Sequence, residues 1–351
     1  EKSMLIDASR SSQVNGDIVM DGGSVNLAAN EINLGDVKGL ASTGALNLSN
    51  ADLNKLTVDE LVLTSRKAIN LRGDVGRLQA DGSLSALSFQ RLELNAMGLV
   101  GEVTDQQASI QTHELVLKNT QNQQLTVNFI NNLPSTAAGT LDINADKVST
   151  GKGIFAVAGF DQVNLTANQQ LTATAQGTLK VNADLNLAVT TLTANGKGDL
   201  HVDASGHQAV LNSTGLNEQV GAQELTGALA VTADEVTLNT HVVLPSGQLK
   251  LHALMGDVKL GELAKVDLSG RQIHFTDSIV ASAGGILDIN SEHGNIAFSG
   301  GTSVNLQGGA SDVSGGQLKL SATDGTVKLA GDIKAENGSI ELDQANFATQ
   351  G

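Results

Sequence analysis

Apolar and polar residues alternate at every second position along most of the chain. That is the pattern of a strand that buries one face. The commonest element is a tripeptide of apolar, Asn, apolar: Val25-Asn26-Leu27, Ile32-Asn33-Leu34, Leu46-Asn47-Leu48, Ile69-Asn70-Leu71, Val163-Asn164-Leu165, Leu185-Asn186-Leu187 and Val304-Asn305-Leu306. In a strand the two apolar side chains share one face and the Asn takes the other. Such strands are too short to stand alone. Stacked in parallel, each finds ladder partners above and below, and its apolar pair enters a continuous core. No helical period lasts beyond a turn or two. The stretch from Leu53 to Leu61 has helical spacing but gives way to strand alternation at Leu61-Val62-Leu63.

A longer phrase overlies this alternation. Gly247-Gln-Leu-Lys-Leu, Gly285-Ile-Leu-Asp-Ile and Gly316-Gln-Leu-Lys-Leu are each followed nine residues later by a second glycine and strand, at Gly256, Gly294 and Gly325. Gly139 and Gly177 open similar phrases 38 residues apart, and Gly227 opens another 20 residues before Gly247. These nine glycines are read as structural coil corners. The phrase keeps its direction, and parallel crossovers are right-handed in nearly all cases. Together these features predict an all-β fold, a right-handed parallel β-helix (a solenoid) of roughly 15–18 coils of about 20 residues. Two-residue hairpin turns are few: Asn15-Gly16, Asp81-Gly82 and Asn337-Gly338.

The phrase is not uniform. Residues 1–138 read as less regular coils, with a Gln/Asn-rich excursion near 100–138 where Pro134 removes a ladder donor. Residues 139–351 read as regular coils, with an insertion at 206–221. Solenoid insertions gather on one face and can carry binding. Residues 72–74, 100–138 and 206–221 are therefore where binding is to be sought.

Composition narrows the functional classes. There is no Trp, Tyr or Cys, and only seven Phe. The core must be thin layers of Leu, Val, Ile and Ala, joined by phenylalanines at core positions such as Phe275 and Phe298. Without cysteine there are no disulfides, thiolate metal sites or cysteine nucleophiles. The net charge of −16 is spread along the chain and opposes binding to nucleic acid or anionic lipid. No apolar run reaches membrane-spanning length, so no membrane insertion is expected. The chain opens at Glu1 without Met and without a signal peptide, and reads as a piece of something longer.

Candidate chemistry is sparse. Arg72-Gly73-Asp74 is a possible adhesive tripeptide of the type read by integrins, although Gly and Asp are also ordinary corner residues. Of seven histidines, only His201 and His207 are close in sequence, with Asp203 between them. Zinc needs three or four converging ligands, so no metal or other cofactor is expected. Gly308-Gly309-Ala310-Ser311-Asp312 approaches a calcium repeat but does not recur in tandem. Asp142, Asp184, Asp203, Asp234 and Asp288 fall on separate corners or outward positions, so no acid–base pair can be named. Sugar clefts favour Trp and Tyr platforms, which this chain lacks. An enzyme is not expected, and a β-helical polysaccharide lyase or hydrolase is the weakest reading. Asn47, Asn164, Asn212 and Asn337 lie in Asn-x-Ser/Thr sequons, whose ordinary alternative is Asn facing solvent or stacking in a ladder.

From Gly139 onward the phrasing resembles the filamentous haemagglutinin family, the large exoproteins of bacterial two-partner secretion. The likeness rests on Gly139-Thr-Leu-Asp-Ile-Asn-Ala-Asp, Gly159-Phe160-Asp-Gln-Val-Asn-Leu-Thr-Ala, Gly177-Thr-Leu-Lys-Val-Asn-Ala-Asp, the run from Leu244 to Leu260, and the run from Gly315 to Leu329. It covers about two thirds of the chain. The resemblance implies a protein secreted to the bacterial cell surface through an outer-membrane pore partner. It implies a structural and adhesive shaft segment that mediates cell–cell, surface or biofilm-matrix attachment. Its partners would be exopolysaccharide or a receptor on host or sibling cells. A carbohydrate-binding module on one β-helix face is the alternative reading.

Overall fold

A computed structural model describes residues 2–8, 16–40, 44–85, 87, 89–102, 107–121, 123–126, 139–216 and 224–345. The protein is all-β, with long parallel pairing among many strands and one short helix among the described residues. The chain divides into two compact units. The first comprises Glu1–Thr166 with Gly177–Asp184, and the second Ala167–Gln176 with Leu185–Gly351.

In the second unit three parallel ladders recur in a fixed order. The first stacks Asp199–Asn212, Ala228–Asn239, Gln248–Ala253, Ile286–Ser291, Gln317–Ala322 and Ser339–Gln344. Its register places Leu200, Leu229, Leu249, Leu287, Leu318 and Ile340 in one column. The second ladder aligns Leu211, Leu238, Leu260, Phe298 and Leu329. The third aligns Leu192, Val242, Val266, Val304 and Ile333. From Gln248 onward the chain visits first, second and third ladder, then returns to the first. Period-2 alternation sends these side chains to the buried face, and most of them are under 6 % exposed. Removing each buried one from water contributes roughly 1.5–3 kcal/mol, which offsets the ordering of strands that from Gln248 onward are only three to six residues long.

The unequal glycine spacings have a structural cause. Between Gly247 and Gly285 the circuit is lengthened by an antiparallel hairpin, Gln272–His274 with Ile279–Ala281. Between Gly285 and Gly316 it is lengthened by the non-strand stretch 306–316. The strand onset at Gly177 does not align with Gly139: it lies in register with Gly153.

In the first unit one ladder stacks Lys2–Ala8, Ile18–Ala29, Leu56–Ser65, Arg91–Asn95, Gln107–Lys118 and Thr140–Thr150. Ile6, Leu27, Leu63, Leu94 and Leu117 share a column in it. Another ladder stacks Ala45–Ser49, Glu31–Gly35, Ile69–Arg72, Gly98–Gly101 and Gly153–Ala158. Here Leu46, Ile32, Ile69, Leu99 and Val157 form the buried column.

Three local details refine the sequence expectations. The helix is Asn50–Leu53, started by a capping box in which Ser49 and Asp52 satisfy each other's backbone N–H; the stretch that follows, Leu56–Ser65, is strand. Asp81-Gly82 does close a hairpin, with Gly82 at φ +84. Phe298 is buried, but Phe275 is 59 % exposed. The expectation that Phe275 is a core residue is therefore corrected. It lies beside the tip of the hairpin, where its N–H bonds the Ser278 carbonyl and no second layer covers it.

Candidate functional site

A concavity lies in the first unit, on the outward side of the second ladder described there. Asn33, Asn47 and Asn70 occupy the middle positions of three adjacent strands, so strand pairing brings them into line. Asn33 Nδ2 donates to Asn47 Oδ1 at 2.7 Å, and Asn70 Nδ2 donates to Asn33 Oδ1 at 2.9 Å. Asn70 Nδ2 also reaches Glu31 Oε1 at 3.1 Å. Asn33 and Asn70 are only 3 % and 2 % exposed, although both point away from the apolar core.

Two neighbouring cavities lie over this amide row. One, of about 510 Å³, is lined by residues that include Asn30, Asn33, Arg66, Arg72 and Gln123. The other, of about 300 Å³, includes Asn70, Met97, Glu102, Gln124 and Leu125. Glu31 and Lys67 line both. Each cation present has a carboxylate partner: Lys67 Nζ lies 3.5 Å from Glu31, Arg66 Nη2 donates to both carboxylate oxygens of Asp7 at 3.0 and 3.2 Å, and Arg72 pairs with Glu102. Arg72 Nε is buried and has no hydrogen-bond partner among the described residues. The chemistry on offer is a dense set of donors and acceptors with little net charge. No phenylalanine is among the described lining residues.

The structure places Arg72 of the Arg72-Gly73-Asp74 tripeptide in this wall, held by Glu102. Gly73 adopts φ +76, and the Asp74 carbonyl accepts from Asn50 Nδ2 at 3.0 Å. The Asp74 side chain is exposed. Residues 123–126 of the Gln/Asn-rich stretch contribute to the cavities, while 103–106, 122 and 127–138, with Pro134, lie outside the described residues. Of the segment 206–221, residues 206–212 belong to a strand with a register irregularity between Ala204 and Gln208, and 217–221 lie outside the described residues.

Several of the glycines read in the sequence as corners stack directly on one another. A Cβ at Gly247, Gly285 or Gly316 would collide with the carbonyl oxygen of Gly227, Gly247 or Gly285, respectively. The same holds for Gly294 on Gly256 and Gly325 on Gly294. Gly139 precedes the strand Thr140–Thr150, and its carbonyl accepts from the N–H of Asp161. Gly177 lies inside the strand Gln176–Val181, where a Cβ would meet the Gly151 carbonyl.

The titratable candidates stay dispersed. His201 bonds the Thr232 hydroxyl at 2.9 Å, His252 pairs with Glu292 and His293 with Asp324. Among the described residues no three of His, Cys, Asp and Glu are grouped to hold a metal ion. Asp142 accepts from Asn164 Nδ2, Asp203 from Ser205, and Asp234 from the Gly206 N–H. Asp288 sits in register between Lys250 and Lys319. No protein-family model, curated protein or solved structure matches this chain.

The amide row was partly visible in sequence, since Ile32-Asn33-Leu34, Leu46-Asn47-Leu48 and Ile69-Asn70-Leu71 are three of the recurring tripeptides. Glu31, Lys67 and Glu102 carried no such signal. Their meeting depends on which strands pair across 30 or more residues.

Proposed function

We propose that this chain is a structural and adhesive shaft segment of a large secreted bacterial exoprotein, wound as a right-handed parallel β-helix and exported through an outer-membrane pore partner. The observation that carries the reading is the fixed order of the three ladders in the second unit, with glycine stacked on glycine at the start of successive circuits. Repeats of that kind fold by adding one layer to a template, which suits a disulfide-free chain emerging from a pore. No reaction is assigned: Asp142, Asp203 and Asp234 are each engaged by a separate neighbouring donor. Attachment is the activity, to sibling cells, host cells or a biofilm matrix. The test is retention of beads coated with the 351-residue chain on bacterial biofilm against albumin-coated beads. Retention at the albumin level would sink the adhesive reading.

A second reading, a carbohydrate-binding module on one face, is favoured by one observation: the cavities over Asn33 and Asn70 are lined by amides and paired charges.

A further inference from the structure

We propose that the groove over the Asn33–Asn70 amide row is a binding site for a neutral, hydroxyl-rich saccharide; the inference rests on the carbohydrate-binding reading and gives it a location and a ligand class. Size is the first argument. Cavities of about 510 and 300 Å³ share Glu31 and Lys67 as a common wall, and volumes of a few hundred cubic ångströms are those that enclose small organic ligands.

Preorganisation is the second. Asn33 and Asn70 are buried, bonded to each other, and held by strand register rather than by a mobile loop. A site already fixed in place loses little freedom when a ligand arrives.

Charge selects the class. Lys67, Arg66 and Arg72 are answered by Glu31, Asp7 and Glu102. A polyanion would meet the carboxylates of Glu31 and Glu102 and the −16 charge of the chain. An apolar ligand would strip water from charged walls without replacing the hydrogen bonds. A sugar hydroxyl is both donor and acceptor. It can accept from Lys67 while donating to Glu31, or from Arg72 while donating to Glu102, so each ion pair becomes a two-point contact. Arg72 Nε–H, buried without an acceptor among the described residues, marks a donor that the protein itself leaves unanswered.

The test uses the whole chain and two rim variants, Lys67→Ala and Gln123→Ala, neither of which belongs to the amide row. Lys67 is 66 % exposed at its side chain, so its truncation leaves the fold intact. Immobilised parent and variants are probed with labelled neutral oligosaccharides from mannan, glucan and galactan, and with oligogalacturonate as the acidic control. The expected result is retention of at least one neutral series by the parent, a loss of about tenfold or more in the variants, and an unchanged thermal midpoint. Binding equal in parent and variants would leave the carbohydrate reading standing and remove it from this groove. Retention of oligogalacturonate alone would overturn the neutral class. No retention of any saccharide would overturn both readings, while bead retention on biofilm would still report attachment separately.

Discussion

Gly285 lies directly over Gly247, so close that a Cβ built on Gly285 would collide with the Gly247 carbonyl oxygen. The reason for glycine here is room and not backbone angle, since neither residue has a positive φ. Gly285→Ala must push two layers apart or bend one of them. Overpacking of this kind costs typically 1–3 kcal/mol. Gly300→Ala is the control, because a Cβ there meets nothing within 4 Å. Urea unfolding followed by circular dichroism should show a clear loss for Gly285→Ala and a change within about 0.5 kcal/mol for Gly300→Ala. Equal midpoints would mean that the layers are looser than the glycine column requires.

On the outward face, charges of alternating sign fall in register from layer to layer. Lys250, Asp288, Lys319 and Glu341 occupy successive layers of one column, with alternating sign. Glu60, Arg91, Glu114 and Lys147 repeat the device in the first unit. Like charges directly opposite in a sheet are destabilising, and opposite charges contribute roughly 0.2–1 kcal/mol. Asp288→Lys should therefore lower the unfolding midpoint by an amount that shrinks at 1 M NaCl, where screening acts over about 3 Å. A salt-independent loss would point to packing and not to charge.

The fold was legible where a local rule repeats. Alternation assigned Leu249, Leu251, Val258 and Leu260 to buried faces, and the glycine phrase marked the starts of successive circuits. What repeats cannot encode stayed hidden. The partner of Arg72 is Glu102 because of which strands stack, and no spacing rule specifies that choice. Gly177 carries the same phrase as Gly139 but lies in register with Gly153, because an intervening strand takes that place. The hairpin around Phe275 carries no separate signal, because Ile273-His274-Phe275 alternates just as a core-facing strand does.

That exposure gives a contrast between two phenylalanines. Phe298 fills the second ladder's column and is 2 % exposed. Its truncation to Ala should cost about 3–5 kcal/mol. Phe275→Ala should stay within about 0.5 kcal/mol, as for a surface position. Thermal melts of the two variants decide the matter, and comparable losses would put Phe275 inside a packed layer after all.

Acid should loosen the second unit through two carboxylates. The backbone N–H of Asn295 bonds Asp257 at 2.8 Å and its amide at 3.1 Å, and with Lys259 these contacts hold the carboxyl below its ordinary value against partial burial. For Asp267 burial is the largest influence and pushes upward. Hydrogen bonds from the Ser269 hydroxyl and N–H and from Arg271 together outweigh it, so its pKa is also lowered. A carboxyl with a folded-state pKa below the unfolded value, about 3.9 for Asp, leaves the unfolded chain to bind protons first as pH falls. Its contribution is complete above that value and is lost as pH drops through the folded pKa. The unfolding midpoint should thus hold between pH 5 and 7 and decline below about pH 4. Asp257→Asn with Asp267→Asn should lower the midpoint at neutral pH and flatten the acid decline. A double variant with the parent's full acid dependence would show that other carboxylates govern it.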